Sequence, residues 1–269
     1  MRTVRLGAWK SRHGHGARNF REPPENFPLP MYESLARTST YRFRSDYPGS
    51  PGPSARVSEP PPRPAETAPQ VVVLAGPNGA GKSTAAVELL GDMLHVSSFV
   101  NADQIARGLS GFAPERAAVS AGRIMLERMG SLLMARSDFA FETTLSGRSV
   151  RTLLGRCTAA GYEIHVLYLW LAGPELAVQR VRARVAKGGH DIPEVDIRRR
   201  FTRGLLHFVD IDRQTVTSWR VLDANAPHGN ALVAYGRAGG APVVLDDNGW
   251  AAILRQAAML RDSGDTHDH

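Results

Sequence analysis

The stretch Gly76-Pro77-Asn78-Gly79-Ala80-Gly81-Lys82-Ser83-Thr84 decides the fold. The apolar run Val71-Val72-Val73-Leu74-Ala75 precedes it and reads as a buried parallel strand. Ala85-Ala86-Val87-Glu88-Leu89-Leu90 follows and reads as the start of a helix. Strand, glycine-rich turn, Gly-Lys-Ser and helix make a P-loop in the context that confirms the motif. Its glycines let the backbone enter conformations that a side chain would block. Successive N–H groups then converge at a helix N-terminus, where the helix dipole adds to the attraction for an anion. The expected ligand is ATP, cradled by Gly76, Asn78, Gly79, Ala80, Gly81, Lys82, Ser83 and Thr84. Lys82 is expected to reach the β- and γ-phosphates, and the Ser83 hydroxyl to ligate Mg²⁺.

Outward from this stretch, strands and helices alternate, which predicts an α/β fold: a mostly parallel sheet with helices on both faces. After the first strand, Gln70–Ala75, a helix should run from Lys82 to about Leu90. Ser98-Phe99-Val100-Asn101 reads as a second strand, and Phe139-Ala140-Phe141-Glu142 as a third. Between them a long amphipathic helix should begin at Pro114 and end near Ala135. Its apolar face is expected to hold Ala118, Ile124, Met125, Leu126, Met129, Leu132 and Leu133. A helix through Val150, Leu153 and Leu154 should stop near Gly161, before a fourth strand from Tyr162 to Leu171. Two arginine-rich helices follow, Pro174 to Ala186 and one opened by Pro193, separated by Gly188-Gly189-His190. A short strand is expected near Trp219–Leu222, a small hairpin from Ala231–Tyr235 and Val243–Leu245, and a closing helix over Trp250–Leu260.

Residues 1–69 differ in kind. Proline and arginine dominate, Glu59-Pro60-Pro61-Pro62-Arg63-Pro64 reads as a polyproline-like linker, and apolar periodicity is absent. The expected organisation is a disordered arm over 1–69, a P-loop kinase-like domain over 70–262 and a disordered tail over 263–269. The arm contains eleven Arg and Lys against six acids, so it holds five of the seven net positive charges. A sequence pI near 10.0 therefore describes the arm more than the domain, and a nucleic-acid partner is not expected. The longest apolar run, Ile164 to Ala172, is too short to span a bilayer, so no membrane partner is expected. The N-terminus lacks the apolar segment of a secretory signal, and the single cysteine, Cys157, fits a reducing compartment. Both point to the cytoplasm. Cys157 shares a helical face with Leu153 and Leu154 and reads as a buried, inert thiol.

A phosphate cradle does not name the acceptor. Ligands of open parallel sheets bind beyond the carboxyl ends of the strands, and that rule selects two carboxylates. Asp103 follows the second strand and is the candidate base; it could also cap the helix that starts at Gln104. Glu142 ends the third strand, where it could bind a substrate hydroxyl or help hold Mg²⁺ through water. Thr143, Thr144 and Ser146 form a hydroxyl-rich loop suited to a polar substrate. Arg184 and Arg200 flank the Gly188–Pro193 turn, which reads as a lid carrying guanidinium groups toward the phosphates. His190 reads as a turn or packing residue.

Taken together, GPNGAGKST, Asn101-Ala102-Asp103, Phe141-Glu142-Thr143-Thr144, Arg184-Val185, Gly188-Gly189-His190-Asp191-Ile192-Pro193 and Arg199-Arg200-Phe201 resemble the zeta-toxin family of P-loop kinases. The resemblance covers about Gln70 to Leu260. It implies that Lys82 binds the ATP phosphates, Asp103 deprotonates the acceptor and Arg184 and Arg200 clamp the phosphates. It also implies that Glu142 belongs to the sugar-nucleotide pocket, and Asn101, Asp103, Thr143 and Thr144 are expected to bind the substrate with it. The implied reaction is phosphorylation of the 3′-hydroxyl of UDP-N-acetylglucosamine, which depletes a peptidoglycan precursor, with a cognate antitoxin as the implied partner. One corner departs from the family pattern: the end of the last core strand reads Leu222-Asp223-Ala224-Asn225-Ala226. The residues alone also admit a kinase of another small molecule or of a nucleic-acid end, and a nucleotide-switched interaction protein.

Overall fold

The apolar run before the glycine turn becomes β1 (Gln70–Ala75), which lies inside a sheet of seven strands. The computed structural model describes residues 68–91, 98–110, 117–211, 215–225 and 230–264. The expected arm over 1–69 therefore falls almost wholly outside the described residues, as do Pro114 and the last residues of the expected tail.

Along the chain come α1 (Lys82–Gly91), β2 (Phe99–Val100), α2 (Ala102–Leu109), α3 (Ala118–Met134), β3 (Phe139–Thr143) and α4 (Arg148–Ala159). Next are β4 (Glu163–Trp170), α5 (Pro174–Val185), α6 (Glu194–Val209), β5 (Ser218–Asp223), β6 (Ala231–Arg237), β7 (Val243–Val244) and α7 (Asp247–Gly264). The strand order is β2-β3-β1-β4-β5-β6-β7. The first five of these strands are parallel, as the alternation of strand and helix requires.

Both faces of the sheet are covered, because side chains of successive strand residues alternate between them. Val71, Val73, Phe139, Phe141, Ile164, Val166 and Tyr168 pack on one face with Met129 of α3, Leu154 and Cys157 of α4 and Ile253 of α7. Val72, Leu74, Leu167 and Leu169 pack on the other with Ala85 of α1 and Ala177, Val178 and Val181 of α5. Helix α6 belongs to both. Its Ile197 and Phe201 join the second cluster, and its Leu205 and Phe208 join the first. It is therefore placed across the carboxyl ends of the strands, and Phe208 stacks on Tyr168 with ring centroids 4.3 Å apart. Cys157 is fully buried, and that burial pushes its thiol up to about 11.

One expectation is extended and another corrected. The expected small hairpin forms, β7 pairing antiparallel with β6, and it also extends the main sheet, because β6 pairs antiparallel with β5. Local sequence marks these strands but not the neighbour they pair with. On α3, Ala121, Met125, Met129, Leu132 and Leu133 are buried, whereas Ile124 and Leu126 are exposed. Ile124 and Leu126 each lie about 100° around the helix from Met125, outside the stripe that repeats every three to four residues.

Candidate active site

β1 delivers the glycine turn to the carboxyl edge of the sheet. Gly76, Gly79 and Gly81 all take positive φ, of 143°, 79° and 84°. A β-carbon on Gly76 would sit 2.5 Å from the Leu169 carbonyl oxygen of β4, and one on Gly79 would sit 2.9 Å from the Ala177 carbonyl oxygen of α5. The turn is thus pressed against both neighbours and could not be built from other residues. A β-carbon on Gly81 would meet nothing within 4 Å, so the loop faces open space there. The first N–H groups of α1 have no partner within their own helix. Backbone donors at a helix N-terminus, an exposed Ser83 hydroxyl and a lysine at the loop together fit a nucleotide phosphate with its divalent cation.

Lys82 is 6% exposed and donates to the Pro77 carbonyl oxygen at 2.9 Å. Burial lowers its pKa; Glu142 and Asp103 act against that shift, and Arg184 and Arg200 add to it. One lysine thus feels both candidate carboxylates and both candidate lid arginines. The chain brings these five charges together from the ends of β2 and β3, from the P-loop and from the two helices of the Gly-Gly turn.

The carboxylates are positioned differently. Glu142 lies beside β1 in register with Leu74. Its Oε2 accepts from Ser83 Oγ at 2.8 Å and from Asn101 Nδ2 at 2.7 Å, and its Oε1 is 3.8 Å from Lys82 Nζ. Asn101 is 4% exposed, and its Oδ1 accepts from the N–H groups of Asp103 at 2.8 Å and Gln104 at 3.2 Å. Asn101, rather than Asp103, is therefore the N-cap of α2. The cap contributes about 1 kcal/mol and leaves the Asp103 carboxylate without a side-chain hydrogen bond among the described residues.

Thr143 Oγ1 accepts from the Leu145 N–H at 3.0 Å, and Thr144 Oγ1 lies 2.8 Å from Ser146 Oγ. Leu145 has φ 59°, and His207 Nδ1 of α6 is 2.8 Å from its carbonyl oxygen. A β-carbon on Gly204 of α6 would collide with the Thr144 carbonyl oxygen at 2.3 Å. The two threonines thus shape a loop that α6 holds down.

The Gly-Gly turn joins α5 to α6. Arg184 Nη2 donates to the His190 carbonyl oxygen at 2.8 Å, and a β-carbon on Gly189 would lie 2.5 Å from Arg184 Cγ. Gly189 exists to let Arg184 pass. Arg198 pairs with Glu175 and Glu194, and Arg199 with Asp196. Arg200 has no hydrogen bond or ion pair among the described residues, and its charge adds to the lowering of the Lys82 pKa. Arg107 of α2, Arg180, Arg184, Lys187, Gly188 and Gly189 line a cleft of about 540 Å³. Arg180 also ties the site together: it donates to the carbonyl oxygens of Ala224 and Asn225, both at 2.7 Å, and to that of Gly79 at 3.5 Å. Asn225 in turn donates its N–H to Asp223 Oδ1 at 2.8 Å. Sequence reasoning passed over Arg107, Arg180 and Lys187; a cation every three to four residues facing a glycine turn is the signal that could have found the last two.

The model of the AAA domain family matches residues 71–201. That span runs from β1 and the glycine turn through the Gly-Gly turn into α6. The chain has a P-loop kinase-like fold. An uncharacterized protein of Haemophilus influenzae is 28% identical over 138 residues, which cover 49% of this chain and 92% of that protein. Among solved structures, the AvrRxo1-ORF1:ORF2 complex with ATP superimposes with a TM-score of 0.57 at 17% identity, covering 70% of this chain and 64% of that one. This chain thus matches less than two thirds of that neighbour's length. The same complex with sulphate ions gives a TM-score of 0.56 at 16% identity, with the same coverage. Likeness at this level concerns the P-loop kinase-like fold alone. Among the described residues, no helix is long and apolar enough to cross a membrane.

Proposed function

We propose that this chain is an ATP-dependent phosphotransferase that acts on a hydroxyl of a UDP-sugar, with the 3′-hydroxyl of UDP-N-acetylglucosamine as the acceptor. The observation that carries the reading is the buried Lys82 of the P-loop beside Glu142 and Ser83 at the carboxyl edge of the sheet, with Asp103, whose carboxylate has no hydrogen bond among the described residues, and Arg184 and Arg200 close enough to influence its charge. A phosphoryl transferase to an alcohol needs those parts: a base beside the acceptor and cations around the transferring group. The zeta-toxin-like motifs supply the choice of acceptor.

Asp103 takes the acceptor proton as the acceptor oxygen forms its bond to the γ-phosphorus. The bond from phosphorus to the ADP oxygen breaks, and ADP leaves with the electron pair. Lys82, Arg184 and Arg200 hold the charge that spreads over the phosphoryl oxygens. Mg²⁺, held by the Ser83 hydroxyl, would add charge neutralisation on the phosphates. The Gly188–Pro193 turn excludes water that would otherwise hydrolyse ATP. Asn101, Thr143 and Thr144 shape the acceptor side. The reading places the protein in the cytoplasm, where ATP and UDP-sugars occur, with a cognate antitoxin as its protein partner.

The test is transfer from γ-labelled ATP to a panel of UDP-N-acetylglucosamine, other UDP-sugars, nucleosides and an RNA oligomer, with Asp103→Ala as control. Label on UDP-N-acetylglucosamine that disappears in the variant supports the proposal. Label on a different acceptor replaces the substrate and keeps the phosphotransferase. ATP binding with no acceptor labelled overturns the enzyme reading in favour of a nucleotide switch.

A further inference from the structure

Helix α3 carries a second apolar stripe besides the one it buries. Val119, Leu126 and Met134 are 71%, 42% and 80% exposed. At 3.6 residues per turn they fall within about 80° of one another, along one solvent-facing line. Single exposed apolar side chains are ordinary, but three in line on one helix make a surface. Gly130 lies on the same line. Glycine weakens a helix interior, so its presence there calls for a cause. Gly189, Gly204 and Gly236 each have a neighbour within the chain that a β-carbon would strike, whereas one on Gly130 would meet nothing within 4 Å. The cause therefore lies outside the chain.

The order of the stripe says what fits it. About a midpoint between Leu126 and Glu127, Val119 mirrors Met134 and Arg123 mirrors Gly130. Two copies related by a two-fold axis present each residue of an antiparallel helix pair to its mirror position. We propose that α3 is a self-association surface, on which a second copy of this chain docks antiparallel across a two-fold axis at Leu126. Leu126 then meets Leu126, Val119 meets Met134, and the long Arg123 side chain crosses the hollow that Gly130 leaves. Arg123 and Glu127 are both exposed and lie on the same flank of the stripe. The two-fold axis brings like flanks together, so each Arg123 comes within a turn of the partner's Glu127, and the charges are complementary. The 17 residues of α3 span about 25 Å, and one helix pair of that length falls at the low end of specific interfaces. The expected dissociation constant is on the order of 10 µM. This inference is independent of the phosphotransferase reading.

The experiment is sedimentation velocity on the full chain from about 1 to about 300 µM, a range that brackets that affinity. The wild type should pass from the 29.2 kDa monomer to twice that mass. Leu126→Glu sets like charges against each other at the axis and should weaken the dimer at least about tenfold. Because Leu126 is exposed, melting curves should show that variant folded. Arg123→Glu and Glu127→Arg should each weaken the dimer alone. An equimolar mixture of those two should dimerise like the wild type, since opposite charges face each other again. A monomer at every concentration overturns the proposal. So does a dimer that Leu126→Glu leaves intact, because the contact then lies on another surface. Folded Arg123→Glu and Glu127→Arg chains that fail to recover on mixing overturn it as well, since the antiparallel register requires that recovery.

Discussion

Gly79 lies so close to Arg180 that a β-carbon on the glycine would come within 3.0 Å of the arginine's own β-carbon. The P-loop and α5 are therefore in backbone-level contact, and Arg180 carries that contact on to the end of β5. Gly79→Ala meets two obstacles, the φ of 79° and the Ala177 carbonyl oxygen at 2.9 Å. It should destabilise the fold by about 1–3 kcal/mol and weaken ATP binding at least about tenfold. Gly81→Ala meets only the backbone strain, since nothing lies within 4 Å, and should lower the melting temperature less. Thermal melts of the two variants side by side check this; equal losses would contradict the contact argument.

Asp103 and Asn101 should separate cleanly in mutagenesis. Asp103→Asn leaves the α2 cap in place, because Asn101 makes it. Transfer should fall by about 10²–10⁴, the usual contribution of a general base, while MgATP affinity and melting temperature stay near wild type. Asn101→Ala removes the cap and the hold on Glu142 together, and should lower stability by about 1–2 kcal/mol. Kinetics and melting curves on the pair decide; wild-type turnover in Asp103→Asn would remove it as the base.

The three consecutive arginines of α6 should not behave alike. Arg198 and Arg199 are held in partly exposed ion pairs, and such pairs contribute at most about 1 kcal/mol. Arg200 acts on Lys82 instead. Arg200→Ala should lower kcat by about 10²–10³, the scale of a lost charge-stabilising donor, whereas Arg199→Ala should stay within about twofold. The comparison of kcat across single variants is the check, and a similar loss for Arg199→Ala would mean that the guanidiniums act through the general field of the helix.

His165 offers a pH test away from the site. Burial lowers its pKa, Arg220 and Arg237 add to the shift, and Glu163 opposes it; Nδ1 lies 2.8 Å from Ser218 Oγ. A histidine depressed in the folded state stays neutral while the unfolded chain takes up its proton. The stability it supports is present above the unfolded value of about 6.5 and is lost as pH falls below it toward the folded value. Denaturant titrations of the wild type should show a slope of up to about 1.4 kcal/mol per pH unit from this group in that range. His165→Asn should flatten it, and an unchanged slope would mean that other groups govern acid unfolding.

What could be read from the sequence was what is encoded within a few residues. The strand Val71–Ala75 and the glycine turn were legible because strand, loop and helix are contiguous, and Asp103 and Glu142 because each lies at or just beyond the end of a strand. The attachment of β6 and β7 to the main sheet was not legible, since an apolar strand does not say which strand it will pair with. Nor were Gly204 and Gly189. Their lack of a side chain matters only because Thr144 and Arg184 happen to pass within 3 Å, an approach that exists only once the chain has folded. The different partners of Arg198, Arg199 and Arg200 turned on helical phase and on acids at Glu175, Glu194 and Asp196, one of which belongs to α5.

The sheet ends on both sides in strands of two residues, Phe99–Val100 and Val243–Val244. A strand that short presents too few open amides and carbonyls to template a further strand from another molecule. Among the described residues, then, neither β2 nor β7 is itself a rail for β-augmentation. A protein partner that met the sheet at β2 or β7 would have to recognise side chains, and its selectivity there would be written in surface chemistry rather than in main-chain pairing.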